Sequence, residues 1–180
     1  MNRILVFLAA ALLALATAAP PAGAVDASLS RDARRALDSL VATNPAAGEL
    51  RKKAKAVLVF PKMIKAGFLF GGQIGDGVLF EGGKVAGFYN SVAASYGLQV
   101  GGQTFGYALF FMNTGALDYL KKSSGWEIGS GPSVVVWDQG MGKSFSSTTL
   151  TQDVYAFIFN QKGLMAGVGI QGSKITRIDG

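Results

Sequence analysis

Five lysines carry the most suggestive chemistry in this 180-residue chain. Lys52, Lys53 and Lys55 are followed across Pro61 by Lys62 and Lys65, with Met63, Ile64 and Phe68 interleaved. Cations next to apolar side chains can hold phosphate headgroups while the apolar groups reach the acyl boundary of a membrane. Each such lysine near an anionic surface contributes about 1 kcal/mol. The plainer reading is a solvated helix end followed by a basic strand entry, because most charge runs are simply hydrated. Both readings stand at this point.

Other chemistries fare worse. The chain has no His and no Cys. The commonest general base, the commonest zinc ligands, thiolate nucleophiles and disulfides are therefore all missing. No Gly-x-Ser-x-Gly elbow supplies a serine nucleophile. Asp76, Glu81, Asp118, Glu127, Asp138 and Asp153 are scattered, and nothing in the sequence pairs them for acid–base work. Gly167-Val168-Gly169-Ile170-Gln171-Gly172 spells a dinucleotide fingerprint, but only eight residues follow it. Neither the required helix nor a distant acidic ribose partner fits there. A glycine-bent strand explains it. The chain is expected not to be an enzyme and to need neither metal nor cofactor.

The N-terminus reads as an export signal. Arg3 precedes an apolar stretch from Ile4 to Ala19, Pro20-Pro21 ends it, and Ala22-Gly23-Ala24 offers a small-x-small cleavage site before Val25. The run is short of the ~20 residues that span a bilayer. Residues 1–24 are thus expected to be removed, leaving 25–180 as one domain in the periplasm or outside the cell, peripheral on a membrane. Of the seventeen Lys and Arg only Arg3 would be lost, so the net charge of +6 becomes +5. A modestly basic exported domain suits anionic phospholipid better than nucleic acid.

Two helices should open the domain. Leu29, Ala33, Ala36, Leu37, Leu40 and Val41 form one stripe, with Ser28 or Ser30 as its cap and Asn44-Pro45 as its end. Arg31, Arg34 and Arg35 fall on the opposite side. With few large apolar residues and no aromatic in the stripe, packing on the domain is favoured over lying on a membrane. A second helix is expected over 45–56.

From Val57 onward short apolar runs alternate with glycine pairs, which predicts strands. The expected runs are 57–60, 67–70, 77–80, 85–89, 96–100, 107–112, 133–137, 155–159, 165–170 and 173–178. Gly82-Gly83 predicts a primed hairpin turn, and Asn160 to Gly163 a second turn. A short helix follows Asn113-Thr114, burying Ala116, Leu117 and Leu120. Gly71-Gly72-Gln73 is echoed by Gly101-Gly102-Gln103. Together these predict an α+β fold, with a strongly curved antiparallel sheet or partial β-barrel, two N-terminal helices and one inserted short helix. An integral outer-membrane barrel fits poorly, because its strands need ~9–11 residues and its faces alternate.

Four blocks resemble the SYLF domain family. They are Ala54-Lys55-Ala56-Val57 with Ile64-Lys65-Ala66-Gly67-Phe68, then Tyr96 to Gly101, then Phe111 to Leu117, then Lys162 to Val168 running on to Ser173. The resemblance spans roughly residues 33 to 178. It implies a lipid-binding module. Eukaryotic members bind phosphoinositides and some bind actin, whereas bacterial members are mostly exported. It also implies headgroup-binding roles for Lys65 and Lys162, which join Lys52, Lys53, Lys55 and Lys62. With a signal peptide and no partner domain, actin and phosphoinositides are not the expected ligands here. Phosphatidylglycerol or cardiolipin suits better. The expected function is anionic phospholipid binding. The alternatives are a carrier holding an apolar ligand inside the curved sheet, or a protein-interaction module at the envelope.

Overall fold

The structure, a computed structural model, describes residues 22–68, 70–96, 101–137, 151–163 and 172–178. These form three helices and one eight-stranded sheet. Helix α1 spans Ala22–Thr43 and α2 spans Pro45–Lys53. Strands β1 (Ala56–Phe68), β2 (Phe70–Glu81), β3 (Lys84–Tyr96) and β4 (Gly101–Phe111) follow. Then come α3 (Thr114–Lys122), β5 (Trp126–Glu127), β6 (Val134–Trp137), β7 (Val154–Gly163) and β8 (Lys174–Ile178).

The strand order is β5-β8-β3-β2-β1-β4-β7-β6. Every pairing is antiparallel except β6 with β7. The expected antiparallel sheet is thus mixed at one edge, where β6 lies parallel to β7. The sheet curls into a half-barrel. Its concave side buries Leu58, Phe60, Met63, Leu79, Tyr89, Phe105, Tyr107, Leu109 and Phe111, and α3 and Trp126 pack into it. Its convex side carries Val57, Val59, Val78, Phe80, Ala108 and Phe110, against which Ala33, Leu37 and Leu40 of α1 and Leu50 of α2 pack. Burial on both faces explains why the central strands are apolar throughout.

Local chemistry sets the helix ends. Asn44 Oδ1 accepts from the amides of Ala46 (3.0 Å) and Ala47 (3.2 Å), so Asn44 caps α2 while Pro45 takes the first position, where no amide is needed. Asn113 caps α3 in the same way, accepting from Ala116 N at 2.8 Å. Lys121 and Lys122 close α3 where the dipole favours cations. Gly82 and Gly83 take φ of +56° and +79°, the left-handed pair that joins β2 to β3.

Several expectations need correction. Helix α1 runs through Ser28 and Ser30 from Ala22, so neither serine caps it. Asn160 to Gly163 is no turn. β7 continues to Gly163, with a bulge where Asn160 takes φ of 52°. The short runs of β1 to β4 are pieces of strands 11 to 13 residues long. At Gly77 and Gly106 the missing side chain admits a neighbour's ring, and the strand stays in the ladder. A Cβ on Gly77 would sit 2.6 Å from Phe60 Cδ1. Strand length therefore no longer argues against a membrane barrel. What argues against it is the helical layer over half of the convex side. The expected signal up to residue 21, most of the run at 96–100, the run at 165–170 and Asp138 lie outside the described residues.

Candidate functional site

The expected basic cluster is not one patch. At about 3.3 Å per residue, β1 carries Lys62 some 20 Å from Lys55. Lys52, Lys53 and Lys55 are exposed at the base of the sheet, where α2 ends. Lys62 is exposed at the β1 bulge, and Lys162 is exposed on β7 near the far end. Lys52 Nζ donates to Glu49 Oε1 at 2.7 Å and holds that carboxyl below the usual carboxylate range. Lys53, Lys55, Lys62 and Lys162 form no ion pair with a described residue.

Lys65 departs from the expectation of a surface cation. It is 6 % exposed and lies on the concave side. The bulge between Phe60 and Met63 reverses the side-chain parity of β1 and turns Lys65 inward. There it faces Gln73 on β2 and Gln103 on β4, its direct partners in the two ladders. This explains the sequence echo. Gly67, Ala66 and Lys65 pair with Gly71, Gly72 and Gln73 on one side and with Gly101, Gly102 and Gln103 on the other. Gln73 Nε2 donates to Ser173 Oγ at 2.9 Å, and Tyr107 Oη donates to Ser91 Oγ at 2.6 Å. Burial pushes the Tyr107 phenol well up, partly offset by its bond to Ser91.

At the base, the fold adds two cations that the lysine spacing did not single out. Arg34 stacks over the Phe80 ring, 4.9 Å from its centroid, and donates to Gly83 O at 3.0 Å. Arg51 donates to Asp38 at 2.8 Å. With Lys55 they line a cavity of ≈ 210 Å³ floored by Leu37, Val57 and Phe80. Only the three-dimensional meeting of α1, α2 and the glycine turn brings these residues together. The first-helix stripe packs as expected, with Ala33, Leu37 and Leu40 buried.

The carboxylates hold structure. Glu81 pairs with Lys121 at 2.6 Å and Asp118 with Lys122 at 3.7 Å. Asp76 accepts from Asn90 Nδ2 at 2.7 Å. Asp153 accepts from Asn113 Nδ2 (2.7 Å), Ser133 N (2.9 Å) and Ser133 Oγ (2.8 Å), and these bonds lower its pKa. Among the described residues no group of three or more acidic side chains could hold a metal ion. The base half of the concave side, where a carried ligand would lie, is filled by Phe60, Phe105, Tyr107, Phe111 and Trp126. A cavity of ≈ 630 Å³ opens instead beside Leu40, Trp137 and Phe159, outside the curl. No described helix is long and apolar enough to cross a membrane.

Residues 92–179 match the model of the Ysc84 family, the SYLF domain, described as Las17-binding protein actin regulator. The match begins near the end of β3 and takes in β4, α3 and β5 to β8. Three of the four resemblance blocks lie within it. No curated protein matches the chain.

Proposed function

We propose that this is an exported, non-enzymatic phospholipid-binding protein that engages anionic headgroups through its exposed lysines. The observation that carries this reading is the state of Lys53, Lys55, Lys62 and Lys162, exposed and without an ion pair to any described residue. An unpaired surface ammonium approaches a phosphate without first breaking a bond to a carboxylate. At about 1 kcal/mol each, four of them amount to roughly a thousandfold preference for an anionic over a neutral surface. Lys52, tied to Glu49, contributes less, and the buried Lys65 lies outside this set. SYLF domains are a lipid-binding and actin-regulating family, which supports the ligand class. The signal-like N-terminus favours an exported chain, for which membrane phospholipid is a better partner than actin.

Vesicle sedimentation of the mature chain, as its own cells process it, tests this. Binding is expected to phosphatidylglycerol-containing vesicles, with little to phosphatidylcholine alone, and should fall steeply with salt. Equal binding to both, or binding indifferent to salt, overturns the reading. Mass spectrometry of the protein recovered from its own cells should find an N-terminus at Val25.

A further inference from the structure

The far half of the sheet is turned inside out. On its concave side Lys65, Gln73, Ser91 and Gln103 are buried. On its convex side Ile64, Ile74 and Val92 are 49 %, 52 % and 45 % exposed. A water-facing antiparallel sheet does the reverse, with apolar groups inward and polar groups outward. The pattern seen here is that of strands whose outer face meets lipid.

The three aliphatic residues are contiguous. Ile74 is the direct ladder partner of both Ile64 and Val92. The row continues from Ile64 to Thr104 and Lys162, and from Val92 to Lys174. It therefore reads Lys162, Thr104, Ile64, Ile74, Val92, Lys174, about 24 Å across at the usual strand spacing. Both lysines are exposed. Glu127 stands beyond Lys174 on β5, without an ion pair to it. Toward the strand turns, among the residues whose side chains are described, the same face carries Ala66, Gly72, Ala94 and Gly102, all exposed. Toward the helices it turns polar at Asp76, Asn90 and Thr176, where Asp76 is already bonded to Asn90.

We propose that this outer face docks on an anionic lipid bilayer, with Ile64, Ile74 and Val92 entering the acyl boundary and Lys162 and Lys174 holding headgroup phosphates at the two ends of the row. The inference rests on the phospholipid-binding reading and names the surface that performs it. A bilayer fits better than a protein partner. A cation at each end of an aliphatic row suits a plane of phosphates over acyl chains. The cationic cavity at the base is a weaker candidate, because Arg34 and Arg51 there already donate to Gly83 and Asp38.

The test uses the same mature chain with Ile74→Trp, and Tyr119→Trp on the exposed side of α3 as the control. Each is mixed with phosphatidylglycerol–phosphatidylcholine vesicles carrying brominated acyl chains. Bromine should quench the tryptophan at position 74 and leave the one at 119 unaffected, above the constant signal of Trp126 and Trp137. Ile74→Asp, and separately Lys162→Glu with Lys174→Glu, should weaken vesicle binding at least about tenfold, and by more than Lys53→Glu with Lys55→Glu does. Circular dichroism should be unchanged in all of them. Binding that persists with position 74 unquenched, or that is abolished only by the Lys53–Lys55 reversal, overturns this surface and leaves the phospholipid-binding reading standing. A mass that doubles without lipid and returns to monomer in Ile74→Asp assigns the row to a second copy and overturns the proposal. No binding by any form overturns both readings.

Discussion

Tyr107 on β4 donates its phenol proton to Ser91 on β3 at 2.6 Å, although two strands lie between them in the sheet. Three inter-strand steps of about 4.8 Å would hold these residues some 14 Å apart in a flat sheet. Their bond exists because the sheet curls and brings its concave side chains together. Both residues are fully buried. Tyr107→Phe should leave the Ser91 hydroxyl without this partner and cost about 1–3 kcal/mol, read as a lower urea midpoint. Ser91→Ala in the Tyr107→Phe background should recover part of that loss.

The same phenol predicts an alkaline limit. Its pKa is raised in the folded state, so the folded chain holds this proton more tightly than the unfolded one does. The contribution is complete below the ordinary tyrosine value of ~10 and declines as pH rises beyond it. Thermal midpoints of the native chain should fall above that pH. Tyr107→Phe should show a smaller fall, and an equal fall would assign the alkaline limit to other groups.

Asp153 predicts the acid limit. It ties Asn113, the cap of α3, to Ser133 ahead of β6. Its pKa is lowered, so its contribution is present above the ordinary aspartate value of ~3.9 and is lost as pH falls through the folded value. The carboxylate is partly open to solvent, which discounts the effect. Asp153→Asn should destabilise by about 1–2 kcal/mol at neutral pH and flatten the stability profile below pH ~4.

Gly163 predicts a backbone effect. It takes φ of +125° at the end of the β7 bulge. A Cβ there would run into the Gly102 carbonyl oxygen and lie 2.9 Å from Gln103 Cα. Gly163→Ala should cost about 1–3 kcal/mol through strain, and a change within a few tenths would show that β7 can shift away from β4. The sequence marked this glycine as part of a turn. It takes the pairing of Thr104 with Lys162 and of Gly106 with Phe159 to place it just past a bulge, opposite Gln103.

That contrast runs through the whole chain. Signals confined to a few neighbours were legible, including the break at Asn44-Pro45 between the first two helices, the start of α3 at Asn113-Thr114, the glycine turn after β2 and the stripe on α1. The curved sheet itself followed from glycine between apolar runs. Parity across a bulge was not legible. Nothing local says that one extra residue beside Pro61 turns Lys65 inward and Ile64 outward. Nor does lysine spacing reveal Arg34 and Arg51 beside Lys55, because their meeting depends on how α1 and α2 cross β1. The Gln73–Gln103 echo was visible, whereas its meaning required β1 to stand between the two copies.

Lys65 gives the sharpest separation between surface and interior. Lys62 and Lys65 are three residues apart and were expected to act alike, yet Lys62 is exposed and Lys65 is nearly sealed. A headgroup phosphate on the convex side can reach the first and is screened from the second by the sheet itself. Lys62→Glu removes one cation and adds one anion, which near an anionic surface is worth about 2 kcal/mol, or roughly thirtyfold in affinity. Lys65→Met keeps the aliphatic stem and removes only the ammonium from its place between Gln73 and Gln103. Its vesicle affinity and salt dependence should match those of the native chain, while its thermal midpoint shifts. Sedimentation across a salt series, with differential scanning fluorimetry on the same samples, measures both. If Lys65→Met loses binding with its midpoint unmoved, the phosphate site lies within the curl rather than on its outer face.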